Sequence, residues 1–486
     1  MLDNNYTKQV IAEINKSQGA SLNFIIKDLI KTNSGDSARM KNLWDEYKGI
    51  VPIKKDPRVA NNPAVPDDRV ANDFRGLIVQ QAVGYMFGNS VKYILDEEEE
   101  DTENYTEAEN LIKTFLKRSQ YEKIDAETET YLATCGKGFR IMYYQDWENS
   151  AGETSVQLMQ KNIKPWEAIV INNNSVDEPE FGLIYYQVEV NGIRGMKKYR
   201  TKVEWYDKTN VYYFHEDAQG NFYPDDTYGV ISQPHGFNFM PLIKFSNNLL
   251  ELGDFEKQRQ AIDGYDRLIS YGLQDMRSFA AAYLIFYGVE PTPEVMDAAR
   301  KTGAFYVPRD NDSDANNNVE YLTKDLAINN ITDLATTINA DIFRFSACVS
   351  MSDESFAGSA AIGEARKWKM LGLEMKCKEK ERLYKEGLQR LFKVAATFWS
   401  KVSGIKIDYE DMRFVFVRSM PVDLSVADVV ALKTAGILSV ETALESIRAV
   451  DNAGKEAEKA MAENSGTVVE QTLPRETTDF PIGNEE

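Results

Sequence analysis

The chain has 486 residues, 43% of them hydrophobic and 11% aromatic, enough for a large buried core and too many for disorder throughout. Asp and Glu number 76 against 56 Lys and Arg, a net charge of −20. That balance excludes a general grip on nucleic acid through released counterions, unless the basic residues are segregated onto one face.

In chain order, Asn23 to Lys31 and Ser37 to Lys48 carry apolar residues at three- and four-residue intervals and predict helices. A Pro, Asn and Asp-rich loop follows from Val51 to Asp68. Arg69 to Phe87 then reads as a helix ended by Gly88-Asn89. The run Asp96 to Asp101 is acidic at every position and predicts a solvated loop before a helix over Glu107 to Ser119.

From Gly138 to Phe245 the pattern changes to period two, with aromatic and β-branched residues enriched. Strands are expected at Phe139 to Tyr144, Val156 to Gln160, Ala168 to Asn172, Gly182 to Val190, Lys198 to Trp205, Asn210 to Phe214 and Leu242 to Phe245, joined mostly as antiparallel hairpins. Two long helical patterns, Asp254 to Ala280 and Asp325 to Ser350, bracket a short irregular unit; each would be roughly 35 to 40 Å long. A third, Ala361 to Lys401, contains Gly372 and Gly387 as candidate kink points. After a strand at Phe414 to Val417, Ser425 to Ala435 and Ser439 to Ala449 each begin at a Ser suited to cap a helix. Asp451 to Glu486 is polar, acidic and poor in apolar periodicity, the pattern of a disordered tail.

Residues that carry chemistry are sparse. Cys135, Cys348 and Cys377 are far apart and form no CxxC pair, so neither a disulfide framework nor a zinc site is expected, and a reducing compartment fits. The two histidines, His215 and His235, have no HExxH spacing and are expected to be structural or on the surface. Cys135-Gly136-Lys137-Gly138 lacks the upstream glycine and the Ser or Thr of a phosphate loop, and predicts a tight turn into a strand. Asp310-Asn311-Asp312-Ser313-Asp314 opens like a calcium loop, but Ala315 and Tyr321 stand where the turn Gly and the bidentate Glu belong. No GxSxG elbow is present.

The acid pairs Asp67-Asp68, Asp225-Asp226 and Asp353-Glu354 could supply the two carboxylates of a glycosidase. The sheet aromatics could stack sugar or base, although core packing explains them first. No cofactor is expected. The N-terminus lacks the regions of a signal peptide, and the most apolar uncharged stretch, Ser278 to Val289, falls short of the roughly 20 residues of a spanning helix. A soluble intracellular protein with no membrane contact is expected.

Three groups of residues carry a resemblance. The first is Asn72-Asp73-Phe74 through Gly84-Tyr85-Met86-Phe87-Gly88-Asn89-Ser90-Val91. The second is Gly136-Lys137-Gly138-Phe139 with Tyr143-Tyr144-Gln145-Asp146. The third is Met240-Pro241-Leu242-Ile243-Lys244-Phe245-Ser246-Asn247-Asn248, then Gly253-Asp254-Phe255-Glu256, Ile262-Asp263-Gly264-Tyr265-Asp266 and Ser270. In this order, and with the succession of elements around them, the chain resembles over nearly its whole length the portal proteins, or head-tail connectors, of long-tailed bacteriophages of the siphovirus type.

That resemblance implies an α+β portal fold with an α/β wing, a two-helix stem, a small α/β clip, a long kinked helix and a helical crown. The implied boundaries are 1–251 for the N-terminal part of the wing, 252–280 for the first stem helix, 281–324 for the clip and 325–351 for the second stem helix. They continue with 352–361 for the tunnel loop, 362–420 for the kinked helix and wing strand, 421–450 for the crown and 451–486 for the acidic tail. Ser352, Asp353, Glu354, Ser355, Phe356, Ala357, Gly358 and Ser359 would form the loop at the narrowest part of a channel, where the family's Ser-Gly then Ala-Leu is replaced by Gly358-Ser359-Ala360-Ala361-Ile362. Arg300, Lys301 and Arg309 are candidate partner contacts on the clip.

The implied protein is a homo-oligomeric, dodecameric ring at one capsid vertex that passes double-stranded DNA and has no enzymatic activity. Its partners would be other copies of itself, the DNA, the terminase large subunit, a head-tail adaptor, and the major capsid and scaffolding proteins. It would assemble in the host cytoplasm and reside in the virion. A carbohydrate-active or other enzyme using an acid pair, and a multidomain adaptor that forms no ring, are the alternatives.

Overall fold

Apolar residues three and four apart draw helices α1 (Asn4–Ser17) and α2 (Leu22–Tyr47) onto a sheet through Val10, Ile14, Leu22, Ile25, Ile26 and Leu29. The computed structural model of the chain describes residues 4–17, 21–56, 68–96, 102–148, 154–173, 178–191, 197–225, 229–280, 283–287, 318–322, 328–350, 370–419 and 426–436, with a few isolated positions besides. Two expected helices, Asn23 to Lys31 and Ser37 to Lys48, are one. Gly35 in the joint costs about 1 kcal/mol of helix propensity. The rod nevertheless continues, because Leu29 is buried in the sheet core and Leu43 in a second core beyond the joint.

Helix α3 (Phe74–Phe87) starts later than Arg69, because the Asp73 carboxylate accepts from the Gly76 amide at 2.9 Å and caps it. It stops at Gly88 with an ordinary right-handed φ of −65°; the glycine is needed there because a Cβ would lie 2.6 Å from the Ser419 side chain. Strand β1 (Lys92–Leu95) leads to α4 (Thr102–Arg118) and α5 (Tyr121–Cys135), of which α5 was not foreseen.

The strand region follows: β2 (Lys137–Glu148), β3 (Thr154–Ile163), β4 (Ala168–Asn173), β5 (Glu178–Asn191), β6 (Lys197–Tyr206), β7 (Asn210–Glu216), β8 (Phe222–Pro224), β9 (Ser232–Pro234) and β10 (Leu242–Ser246). All ladders among the described residues are antiparallel. One sheet has the order β10-β2-β3; the other runs β4-β5-β6-β7-β8, with β9 also on β7. Strands β5 and β6 outrun their neighbours. Pairing of β4 with β5 ends at Ala168↔Ile184 and that of β7 with β6 at Lys202↔His215, so residues 187–191 and 197–201 continue as a two-stranded ribbon.

Next come helix α6 (Arg259–Ala280), the antiparallel pair β11 (Tyr283–Tyr287) and β12 (Asn318–Leu322), and helix α7 (Ile328–Ser346). The uninterrupted α8 (Leu371–Val402) and β13 (Met412–Val415), which pairs with β1, complete the first unit, Met1–Ser419. Gly387 in α8 allows a close approach: a Cβ there would lie 2.4 Å from the fully buried Phe245 ring. Leu388, Leu391, Phe392, Ala395, Phe398 and Trp399 of α8 form the largest core with α4, β10 and β13. The second unit, Met420–Glu486, contains helix α9 (Val426–Thr434), which buries Val429.

Candidate functional site

Helices α6 and α7 pack on each other, with Gly272 opposite Ile331. The N-terminal end of α6 and the C-terminal end of α7 enter a core with α3, where Phe255, Ile262 and Ile342 are fully buried. The Phe74 ring meets Tyr265 edge-on at 5.1 Å and Phe343 at 6.0 Å. Farther along the pair the apolar side chains are in solvent: Leu273 and Met276 of α6 are 38% and 45% exposed, and Leu334 of α7 is 50% exposed.

The three motif groups converge on the root of this pair. Asp266, buried on α6, accepts from the Asn72 backbone and side-chain amides, both at 3.0 Å, and the Val70 amide donates to the Ser270 hydroxyl at 3.0 Å. Burial pushes the Asp266 carboxyl up, against those two donors. Asn247 donates from its side chain to the Leu252 carbonyl at 2.8 Å and to Asp254 at 2.9 Å, while its amide donates to the Gly136 carbonyl. Gly136 holds φ at +88°, and a Cβ there would sit 2.0 Å from the Glu251 carbonyl. A Cβ on Gly253 would sit 2.3 Å from the Thr134 carbonyl oxygen. The end of α5 and the strap 246–254 therefore cross at backbone contact, which only glycine permits.

Buried charge binds the root to the remainder of the unit. Lys380 of α8 lies 2.5 Å from Glu129 of α5 and 2.8 Å from Asp254, and Lys376 lies 3.4 Å from Asp254. Burial alone would raise the Asp254 carboxyl, but the two ammonium groups and the Asn247 amide hold it down at about 2. Burial keeps Glu129 above its usual value despite Lys380. A second group joins Arg75 to Glu46 at 3.0 Å and to Asp263 at 2.5 Å, and Arg259 also pairs with Glu46. A third joins Lys137 to Asp36 at 2.5 Å and to Glu251 at 3.4 Å, so the Gly-Lys pair is a turn with a structural cation.

The C-terminal end of α7 is pinned as firmly. The Gln81 side chain donates to the Val349 carbonyl at 2.6 Å and accepts from the Val349 amide at 2.9 Å. Gln258 donates to the Phe345 carbonyl and Lys376 to the Ser346 carbonyl, satisfying acceptors that a helix end leaves open. Ala347 turns the chain with φ at +55°, and a Cβ on Gly372 would lie 3.7 Å from that of Ala347.

The expected loop residues Ser352, Asp353, Glu354, Ser355, Phe356, Ala357, Gly358 and Ser359, and the clip cations Arg300, Lys301 and Arg309, lie outside the described residues. So do Asp67, Asp226 and Asp310 to Asp314; their neighbours Asp68 and Asp225 are committed to Arg277 and Lys202. His235 is buried, with a ring nitrogen 3.1 Å from the Asp207 carbonyl, and His215 lies 4.0 Å from Asp225. Burial pushes the Cys135 and Cys377 thiols up to about 12. Among the described residues no cluster suited to a metal occurs, and no helix is long and apolar enough to cross a membrane. A cavity of about 570 Å³ between α2, β4, β10 and α8 is lined by Lys137, Lys244 and Arg390, each ion-paired to a carboxylate.

Two relatives align with most of this chain. The portal protein of Clostridium phage phiCD119 is 24% identical over 429 residues, 86% of this chain and 88% of the relative. The portal protein of Bacillus phage SPP1 is 24% identical over 395 residues, 78% of this chain and 72% of the relative. The family described as "Phage portal protein, SPP1 Gp6-like" matches residues 26–469, spanning the sheets, the helix pair and the root where the motif groups meet. On that match the chain, a mixed helix and strand protein, belongs to the SPP1 Gp6-like phage portal family.

Proposed function

We propose that copies of this chain close into a dodecameric ring at one vertex of a phage head, and that double-stranded DNA enters and leaves through it. The observation that supports this is the exposed apolar face of the α6–α7 pair at Leu273, Met276 and Leu334. Each large apolar side chain left in water forgoes about 1.5–3 kcal/mol of burial free energy. A contact between two different faces, repeated with a rotation that closes, covers every copy alike.

In this reading 252–280 and 325–351 are the stem, and the buried ion pairs at the root hold it against the wing, 1–251 with 362–420. Residues 281–324 are the clip, offering Arg300, Lys301 and Arg309 first to the terminase large subunit and later to the head-tail adaptor. The wing meets the major capsid and scaffolding proteins, and 421–450 is the crown. The loop from Ser352 to Ser359 surrounds the moving duplex. The chain hydrolyses nothing; terminase supplies the work. A net charge of −20 per copy gives about −240 for twelve, a field that repels DNA wherever it is not offset locally and so favours sliding over sticking.

The test is size and shape. Native mass measurement should find an assembly many times the monomer, and negative-stain images should show rings with a central hole. A chain that stays monomeric or dimeric at high concentration refutes the proposal.

A further inference from the structure

The strap 246–254 is a turn between elements, yet it is held as tightly as the core. The Asn248 side chain accepts from the Leu250 and Leu252 amides at 3.1 and 3.2 Å and donates to the Leu252 carbonyl at 2.8 Å. Glu251 holds φ at +54°, left-handed for a residue with a Cβ, and its carboxylate is fixed by Lys137 at 3.4 Å and by Lys244. Backbone strain of this kind persists only where the surroundings over-determine it, and it gathers at binding elements. What the strap presents to solvent is a pair of leucines: Leu249 is 75% exposed and Leu250 65%.

A second apolar group stands where α7 ends and α8 begins. Phe345 is 68% exposed and Met375 64%, and Leu371, one turn before Met375 on the same face of α8, is exposed with it. Phe345 lies eleven residues beyond Leu334, about 20° away around α7 and ~16 Å along it, so it continues the exposed line of that helix. Both groups are mounted on the root. Leu250 is four residues before Asp254, Met375 is next to Lys376 and Phe345 next to Ser346, and Lys376 joins Asp254 to the Ser346 carbonyl. At these exposures neither group covers the other.

We propose that the two groups are the halves of one contact between copies: Leu249 and Leu250 of one copy seat on Phe345, Leu371 and Met375 of the next. This rests on the ring reading and adds which surfaces meet at the root. A ring needs two different patches on every copy that fit each other, whereas a two-fold dimer needs one patch that fits itself. Two separate apolar groups fixed to one ion-paired root meet the first demand, and a foreign partner would call for only one of them. The second group also continues the line of Leu334, which the same reading already places against a neighbour. A strap held by its own hydrogen bonds has little freedom left to lose on docking, so the leucines act as preformed anchors.

The experiment is cysteine cross-linking in the full chain. Leu250→Cys and Met375→Cys are made singly, co-expressed as two chains, and combined in one chain; Cys135 and Cys377 are buried and Cys348 half-buried, so the wild type and the single variants serve as controls. Under mild oxidation the co-expressed pair should give a covalent dimer on a non-reducing gel, and the combined variant a ladder of higher species, all lost on reduction. A dimer from Leu250→Cys alone would mean that strap meets strap, and overturns the proposal. Assemblies that negative stain shows as rings, but in which the combined variant does not cross-link, overturn it and leave the ring standing. A wild-type chain that never assembles defeats the ring and this contact together. As a second measurement, Leu249→Ser with Leu250→Ser should raise the concentration at which assemblies dissociate by about 100-fold or more, tenfold for each leucine, with the circular dichroism of the monomer unchanged. An unchanged dissociation concentration overturns the proposal as well.

Discussion

Replacing Lys380 with Met removes the shared cation from two buried carboxylates while keeping the length and packing of the side chain. Side-chain exposures of 2% for Lys380, 0% for Glu129 and 3% for Asp254 leave water no access to either acid. Breaking such a pair from one side costs about 3–5 kcal/mol, roughly two to three and a half powers of ten in the folding equilibrium. Lys376, 3.4 Å from Asp254, still serves that carboxylate, so the lower end of the range is expected and Glu129 bears most of the penalty.

The sign with pH is fixed by the same geometry. In the wild type, Asp254 is held at about 2, below its ordinary 3.8, so its contribution is complete above 3.8 and is lost as pH falls toward 2. In Lys380→Met both carboxyls rise, so the defect should be largest near neutrality and shrink as acid protonates them. Urea unfolding at pH 7 and pH 5 measures this, with Lys380→Met/Glu129→Gln recovering much of the loss. A defect below about 1 kcal/mol, equal at both pH values, would refute the claim that the root is held by buried charge.

Gly136→Ala should cost about 1–2 kcal/mol from its left-handed backbone alone, before the clash with Glu251, and should show as lost soluble yield or a lowered melting temperature. Gln81→Leu removes both hydrogen bonds to Val349, with a cost of about 1–3 kcal/mol. Hydrogen exchange should then speed up at residues 347–350; Gln81→Glu, which keeps the acceptor, should preserve protection of the Val349 amide, and equal exchange in both variants would contradict the clamp. Deleting residues 355–359 shortens the span between Ala347 and Gly372 from 24 residues to 19, a change in closure free energy of about 0.2 kcal/mol. Rings should therefore form normally while packaging of DNA is impaired; unimpaired packaging removes that role from the loop.

The strands from β2 to β7 were legible because alternation and aromatic enrichment persist through them. Helix α5 was not, for a physical reason: its inward face presents Asp125, Thr128 and Glu129, so the apolar period is interrupted where the fold most depends on it. Those residues are partnered by Arg140 from the next strand, β2, and by Lys380 from the distant α8. One trace was visible. Leu373, Cys377, Lys380, Tyr384, Leu388 and Leu391 follow helical spacing on the buried side of α8, and a lysine in such a row marks a buried ion pair. Strand β1 pairs with β13 across more than three hundred residues, a contact no local pattern announces. The motif residues Asn72, Asn247 and Asp266 were legible one by one, but not their convergence, because a hydrogen bond between distant segments leaves no periodicity.

The near-contact of Ala347 with Gly372 brings the two ends of the intervening segment together. Its 24 residues begin and end at one point, so whatever path they take, no atom of their backbone can travel farther from that point than half the contour, about 40 Å at ~3.4 Å per residue. Gln81, standing on α3, decides where the centre of that sphere lies. A force drawing on the segment would thereby reach α3 as well as the two helices it joins.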